Sequence, residues 1–116
     1  MFDKGSCHCG AVQFEFIGSE ILSGLRCNCS LCEKKGAIMT EYAVSPKNMK
    51  ISATDGSLST YDFGSKLAKH HFCNKCGIYT FHQTMSQPGY YRINIGCLQG
   101  IDSTRLEFKI HDGASM

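Results

Sequence analysis

The sequence lacks the features that mark membrane, secreted and nucleic-acid-binding proteins. No apolar run approaches the roughly 18 residues that a membrane-spanning helix needs, and the segment Met1–Gly10, MFDKGSCHCG, contains no apolar signal segment. Tryptophan is absent, Lys and Arg are scattered, and the formal net charge is only +2. A charge this close to neutral gives no electrostatic basis for binding nucleic acid. We therefore expect a soluble, cytoplasmic protein with neither a membrane nor a nucleic acid as its partner.

Amphipathic helical patterns are also scarce, and alternation with period two dominates. In Ala11–Ile17, AVQFEFI, apolar and polar residues alternate, which is typical of a strand with one buried face. Single helical turns are expected at most at Ser30–Lys35 and Asp102–Arg105. With no repeat or linker, the pattern predicts one all-β domain of antiparallel sheets over residues 1–116. The further strands are predicted at Ile38–Val44, Met49–Ala53, Leu58–Phe63, Leu67–Phe72, Ile78–Gln83, Tyr90–Ile95 and Leu106–Ile110.

Cysteine, by contrast, is abundant and clustered. Of the eight cysteines, only Cys97 stands alone. The others lie in the motifs Cys7-His8-Cys9, Cys27-Asn28-Cys29-Ser30-Leu31-Cys32 and Cys73-Asn74-Lys75-Cys76. A Cys-x-x-Cys turn lets two sulfurs reach one metal ion, and two pairs from distant parts of a chain can complete a tetrahedral zinc site. The clustering therefore predicts zinc.

The number of clustered cysteines predicts two unequal sites. Two closed four-cysteine sites need eight ligands, whereas only seven cysteines are clustered. We expect one structural zinc enclosed by Cys7, Cys9, Cys73 and Cys76, and a second zinc held by Cys27, Cys29 and Cys32. A zinc with three protein ligands and an open fourth position is typical of a site that does chemistry or takes a ligand. Two zinc ions and seven thiolates change the formal charge from +2 to −1.

Two other interpretations of the cysteines stay open. Cys97 can fill the fourth position of the second site, which would make both zinc ions structural. The even number of cysteines also permits four disulfides in a secreted chain. The absence of a signal segment and the clustering of the thiols favour metal in a reducing compartment.

Longer motifs surround the cysteine clusters. They read CHCGAV at residues 7–12, CNCSLC at 27–32 and HFCNKCG at 71–77, followed by NIGCL at 94–98 and GID at 100–102. In this order they resemble the glutathione-dependent formaldehyde-activating enzyme family, also called the centromere-protein-V-like family. The resemblance covers nearly the whole chain, from about Gly5 to Gly113.

The resemblance implies a fold, two metal sites and an activity. The family fold is an all-β, zinc-stapled β-tent, of the Mss-four-like type. Its first and last cysteine pairs hold a structural zinc and its middle triple holds a second zinc with an exchangeable position, in agreement with the division made above. The founding activity of the family joins formaldehyde to glutathione, giving S-hydroxymethylglutathione, formally the reverse of a carbon–sulfur lyase. The implied partners are thus a small-molecule thiol and an aldehyde, with glutathione as co-substrate.

Charged side chains near the middle triple are candidates for binding the carboxylates of glutathione. Arg26 precedes the triple, and Lys34 and Lys35 follow it. His70 and His71 lie beside the closed site, where either relays a proton or simply hydrogen-bonds to a neighbour. The alternative to an enzyme is a zinc-stabilised binding module without catalysis, or a glutathione carrier.

Overall fold

The structure, a computed structural model, describes residues 3–62, 68–84 and 87–112. In these ranges strands dominate, with one short α-helix and three 3-10 turns. The strands are β1 Asp3–Ser6, β2 Val12–Phe16, β3 Gly24–Cys27, β4 Met39–Thr40, β5 Met49–Ala53, β6 Leu58–Tyr61, β7 Lys69–Cys73, β8 Tyr79–Gln83, β9 Tyr91–Ile93 and β10 Phe108–His111. The helix α1 is Ser30–Lys35, and the 3-10 turns are Pro46–Asn48, Ile95–Cys97 and Ser103–Arg105.

The described strands form three sheets. Their strand orders are β1-β2-β5, β10-β3-β4 and β6-β7-β8-β9. All neighbouring strands within these sheets run antiparallel, except β3 and β10, which pair in parallel. The prediction of an all-β fold with antiparallel sheets is thus confirmed in its main feature, and it is wrong for this one pair.

The hydrophobic core lies between the first and the third sheet. Alternation in β2 buries Val12, Phe14 and Phe16, as the sequence predicts. Phe14 meets Phe81 of β8 edge to face, with ring centroids 5.4 Å apart. Aromatic pairs in this geometry add stabilisation beyond the apolar area that they bury. Because β2 and β8 belong to different sheets, this contact joins the two sheets.

Several predicted strands are shorter than expected. The predicted strand Ile38–Val44 forms only β4, and Val44 adds an isolated bridge to Tyr91. The predicted strands on both sides of residues 63–67 extend into residues outside the described ranges. The predicted helical turns appear as α1 and as the 3-10 turn Ser103–Arg105. No helix within the described ranges is long and apolar enough to span a membrane.

Two strands, β1 and β3, were not predicted. β1 reads Asp-Lys-Gly-Ser and β3 reads Gly-Leu-Arg-Cys, and neither alternates clearly between apolar and polar residues. Gly24 of β3 is buried so closely against Ile38 that a Cβ atom there would collide with that side chain. The close approach of the neighbouring chain explains why a residue that disfavours strands stands in this one.

Candidate metal centres

The first and last cysteine pairs meet in one cluster. The sulfurs of Cys7, Cys9, Cys73 and Cys76 all lie within 4.8 Å of one another. The Sγ–Sγ distance is 3.7 Å both between Cys7 and Cys9 and between Cys9 and Cys73. A tetrahedral site with Zn–S bonds of about 2.3 Å requires sulfurs about 3.8 Å apart. The donor set and its spacing therefore fit a Zn²⁺ ion.

Two tight turns build this four-sulfur cluster. The backbone N–H of Cys7 donates to the carbonyl of Val12 at 3.0 Å, and the N–H of Val12 donates to the Cys7 sulfur at 3.3 Å. In the second turn Gly77 has a φ of 80°, which glycine adopts without strain, and its N–H donates to the carbonyl of Cys73 at 2.8 Å. Hydrogen bonds from the backbone N–H groups of Cys9 and Ile78 lower the pKa of the Cys76 thiol to about 6, which favours its thiolate form.

The middle triple forms a second cluster at the junction of β3 and α1. The sulfurs of Cys27, Cys29 and Cys32 lie within 4.8 Å of one another. Cys27 ends β3, Cys29 is the N-cap of α1, and Cys32 lies in the first turn of the helix. The N–H of Cys32 donates to the Cys29 sulfur at 3.4 Å, and the N–H of Cys29 donates to the Cys27 sulfur at 3.5 Å. Burial opposes the ionisation of Cys29, but the N–H of Cys32 and the neighbouring thiols outweigh it and lower the pKa of Cys29.

The last described strand, β10, holds the chain segment that carries Cys27 and Asn28. β10 pairs with β3 in parallel, and its last residue, His111, lies opposite Cys27. Asn28 donates its backbone N–H to the carbonyl of His111 at 3.2 Å and its side-chain amide to Asp112 at 3.0 Å. The chain segment that carries Cys27 is thereby fixed on both sides, by β4 and by β10.

Cys97 does not join the three-sulfur cluster. Its thiol donates to the carbonyl of Tyr79 at 3.6 Å, and the charges that act on it come from Cys7 and Cys76 of the other cluster. Partial burial raises the pKa of the Cys97 thiol to about 11. Within the ranges that the structure describes, no fourth Cys, His, Asp or Glu ligand completes the triple. The interpretation in which Cys97 closes this site has no support in the structure.

The disulfide interpretation has none either. All eight cysteines lie in the described ranges, and each is a free thiol. The separation of 3.7 Å between the sulfurs of Cys7 and Cys9 is far longer than the S–S bond of about 2.05 Å in a disulfide.

A cavity of about 420 Å³ opens beside the three-sulfur cluster. Leu31, which lies between Cys29 and Cys32, forms part of its wall, and Phe72 and Ile78 add further apolar surface. The polar wall includes Lys35, His70 and Tyr79. A small molecule in this cavity would thus lie against the helix that carries the triple.

The polar wall is a hydrogen-bonded network centred on the hydroxyl of Tyr79. Lys35 Nζ donates to this hydroxyl at 3.0 Å and lies 4.1 Å from the centroid of the Tyr79 ring. The same hydroxyl is 2.7 Å from Nδ1 of His70 and 2.9 Å from Nδ1 of His82. Burial, together with the charge of Lys35, lowers the pKa of His70 to about 4 and lowers that of His82 further, so both imidazoles are neutral near pH 7.

Burial also acts on the three-sulfur cluster and on the groups beside it. It raises the pKa of the Cys32 thiol to about 12, and Lys35 acts in the opposite direction. It lowers the pKa of Lys35, and the sulfurs of the triple, Cys32 first, act against this. It also raises the pKa of Tyr79 well above its usual value. The ammonium of Lys35 is therefore close enough to the triple for the two to act on each other electrostatically.

The predicted cations take different positions. The side chain of Lys35 forms part of the cavity wall, whereas Lys34 is exposed. The guanidinium of Arg26 lies 5.2 Å from the ring centroid of Phe108 on β10, so it packs against an aromatic side chain.

The two predicted histidines also separate. His70 belongs to the network, but His71 bonds to Thr60 Oγ1 at 2.9 Å and to Gln83 Oε1 at 3.0 Å. Neither His82 nor Tyr79 was predicted from the sequence to belong to a site. No local signal in the sequence could have found them, because they come together only through the pairing of β7 with β8, in which a register shift places Tyr79 opposite Phe72 and His82 opposite His70.

Comparison with known proteins agrees with the cysteine motifs. A family model described as glutathione-dependent formaldehyde-activating enzyme matches residues 3–112. The chain is also similar to a solved structure described as a crystal structure of a Rhodobacter sphaeroides protein, with 35% sequence identity and a TM-score of 0.81. That similarity covers 91% of this chain and 99% of the other. The chain therefore belongs to the glutathione-dependent formaldehyde-activating enzyme family.

Proposed function

We propose that this chain is a zinc-dependent protein of the carbon–sulfur lyase type that handles a thiol–aldehyde adduct, S-hydroxymethylglutathione or a close relative. Membership of the family supports glutathione as the thiol and formaldehyde as the aldehyde. The observation that carries the proposal is the three-sulfur cluster of Cys27, Cys29 and Cys32 beside a cavity of about 420 Å³.

Two zinc ions per chain are part of the proposal. The cluster of Cys7, Cys9, Cys73 and Cys76 would hold a structural ion, since its four sulfurs fill a tetrahedral coordination shell. The three-sulfur cluster would hold an ion with one exchangeable position. A thiol with its ordinary pKa of about 8.5 is mostly protonated near neutral pH, and Zn²⁺, when bound, deprotonates a coordinating thiol.

The residues around the cavity would position the second reactant. Leu31, Phe72 and Ile78 would offer an apolar surface to a reactant in the cavity. Holding an aldehyde carbon close to a thiolate makes the addition effectively unimolecular. Three thiolates already give the zinc site a net charge of −1, which weakens its power to polarise a carbonyl. We therefore assign the triple to thiol delivery.

The carboxylates of glutathione need cationic partners at the rim of the site. We propose Arg26 and Lys34 for this role, because they flank the triple and both have charges at or near the surface. Lys35 was the third candidate from the sequence. Its ammonium lines the cavity, so it would meet the reacting end of the ligand.

The proposal is tested by titrating the zinc-loaded protein with glutathione. X-ray absorption at the zinc edge should show an increase in the average number of sulfur ligands per zinc, and nuclear magnetic resonance should show faster formation of S-hydroxymethylglutathione from formaldehyde. S-methylglutathione, which has no free thiol, is the matched control and should leave the sulfur coordination unchanged. Sulfur coordination that stays the same at saturating glutathione would remove the proposal.

A glutathione carrier is the second candidate, favoured by the weak Lewis acidity expected of a zinc with three thiolates. A carrier would show the same change in sulfur coordination without accelerating adduct formation. The two functions therefore differ in the rate measurement alone. A non-catalytic binding module would show neither effect.

A further inference from the structure

The network around Tyr79 contains none of the cysteines and is not needed to hold a metal ion. Its four members come from three elements, with Lys35 on α1, His70 on β7, and Tyr79 and His82 on β8. His70 is 6% exposed, and the other three are partly buried. Burying an ammonium and three other polar groups costs free energy unless they are hydrogen-bonded. Here the other three side chains all hydrogen-bond to the hydroxyl group of Tyr79.

The hydroxyl of Tyr79 can make only a limited number of hydrogen bonds. A phenol has one O–H donor and two lone pairs. Lys35 Nζ at 3.0 Å occupies one lone pair. Of the two imidazoles, one must therefore accept the phenol proton at Nδ1 and the other must donate an Nδ1–H to the remaining lone pair. The hydroxyl of Tyr79 is thereby fully used.

Lys35, in contrast, keeps hydrogen-bonding capacity. An ammonium has three N–H donors, and Tyr79 accepts one of them. A second donor is placed to hydrogen-bond to the Cys32 sulfur, which leaves one N–H donor at the wall of the cavity. A carbonyl carbon that approaches a thiolate at the triple brings its oxygen into the same space.

We propose that Lys35 binds the oxygen of the aldehyde while the thiolate adds to its carbon, and that Tyr79, held by His70 and His82, fixes the Lys35 ammonium for this task. The inference rests on the proposed function and gives Lys35 a role in the addition step itself, which the proposed function does not. The substrate class it implies is an aldehyde small enough to leave the ammonium in contact with its oxygen.

The step balances without a further reactant besides water. The thiol first loses its proton to solvent. A sulfur lone pair then forms the S–C bond, and the π electrons of the C=O bond move to the oxygen. The resulting alkoxide accepts a hydrogen bond from the charged Lys35 and takes a proton from water, which gives the S-hydroxymethyl product. Fixed donors aimed at an oxygen that gains charge are among the strongest sources of rate acceleration in enzymes.

The test removes the positive charge of Lys35 and keeps a side chain of similar length. Lys35→Met should lower kcat for adduct formation about 100-fold, as expected for the loss of one oxyanion donor. Zinc content and glutathione affinity should stay at wild-type values. Lys35→Arg, which keeps a cation, should retain more activity than Lys35→Met. Lys47→Met, on an exposed turn that does not line the cavity, is the matched control and should leave kcat unchanged.

Tyr79→Phe tests the positioning role. It removes the hydroxyl that accepts from Lys35 but leaves the charge, so kcat should fall by a smaller factor, about 10-fold, with KM for glutathione unchanged. Circular dichroism and zinc content show whether each variant is folded. If Lys35→Met does not fold, Tyr79→Phe and Lys35→Arg carry the test, and wild-type kcat in Tyr79→Phe overturns the positioning of Lys35.

The outcomes separate this inference from the proposed function. If the wild type forms the adduct and a folded Lys35→Met variant matches its kcat, the role of Lys35 is wrong and the proposed function stands. If the wild type binds no glutathione, or binds it without accelerating the reaction, the enzymatic function fails and the role of Lys35 fails with it.

Discussion

His70 shows how far a single position in the fold changes the chemistry of a side chain. The sequence places it next to a ligand of the four-sulfur cluster, three residues before Cys73. In the structure it is buried instead against the network beside the other cluster, 2.7 Å from the hydroxyl of Tyr79. Burial and the charge of Lys35 both disfavour its protonated form and lower its pKa to about 4. Position in the sequence thus associates His70 with the four-sulfur cluster, whereas its ring hydrogen-bonds within the network beside the three-sulfur cluster.

We expect the ring of His70 to remain neutral at pH values where an ordinary histidine is charged. Its nitrogen and carbon resonances in the zinc-loaded protein should not titrate between about pH 8 and about pH 5.5, because the ordinary midpoint is near about pH 6.5. The unfolded chain takes up this proton first, so the free energy of unfolding should fall as the pH drops below about 6.5 toward about 4. A ring that titrates near pH 6.5 in the folded protein would contradict the buried network.

The strands differ in how well their sequence predicts them. Alternation gave the bounds of β5, Met49–Ala53, and the buried face of β2, because each has one face on the core. It could not give β1 or β3, whose residues contain glycine and charge and adopt strand geometry only because neighbouring strands pair with them. The parallel pairing of β3 with β10 joins residues more than eighty positions apart, and no local pattern encodes such a contact.

The candidate site divides in the same way. Cysteine spacing predicts both clusters, because ligands two or three residues apart in a tight turn reach one metal ion. The sequence pattern does not predict that Tyr79 and His82 meet, because regular alternation places residues three apart on opposite faces of a strand. The register shifts between His71 and Phe72, so that Thr80 is an extra residue in β8. This bulge brings the side chains of Tyr79 and His82 to the same face. Bulges of this kind depend on the partner strand and cannot be recognised from one strand alone.

If the protein holds two zinc ions as proposed, removing β10 should release the one at the three-sulfur cluster and leave the other in place. A chain that ends at Glu107 loses the strand that pairs with β3 and the Asn28–Asp112 hydrogen bond, so the position of Cys27 is no longer fixed. We expect zinc analysis to give one ion per chain. The control ends at Asp112, keeps β10, and should retain two. Two tightly bound ions in the shorter chain would show that β10 does not support the triple.

At the scale of the whole molecule the two clusters have different structural roles. The four-sulfur cluster joins the turn between β1 and β2 to the turn between β7 and β8, and Cys9 and Cys73 are 64 residues apart in sequence. It therefore links the first sheet to the third, next to the core where Phe14 meets Phe81. The three-sulfur cluster connects only β3 and α1, which are already adjacent in sequence. A metal that links distant segments closes a longer loop and stabilises the fold more than one that links neighbours, and binding at a structural site is coupled to folding.

Replacing one ligand in each cluster should reveal this difference. A structural zinc contributes on the order of 10 kcal/mol, which is comparable to the total stability of about 5–15 kcal/mol for a small domain, so Cys76→Ala should unfold the chain. Cys29→Ala should keep the fold and one zinc per chain, and lose the response to glutathione. Far-ultraviolet circular dichroism, thermal melting and zinc analysis measure the two variants side by side. Equal unfolding of both variants would show that the second cluster is structural as well. That result would favour the binding module over the enzyme.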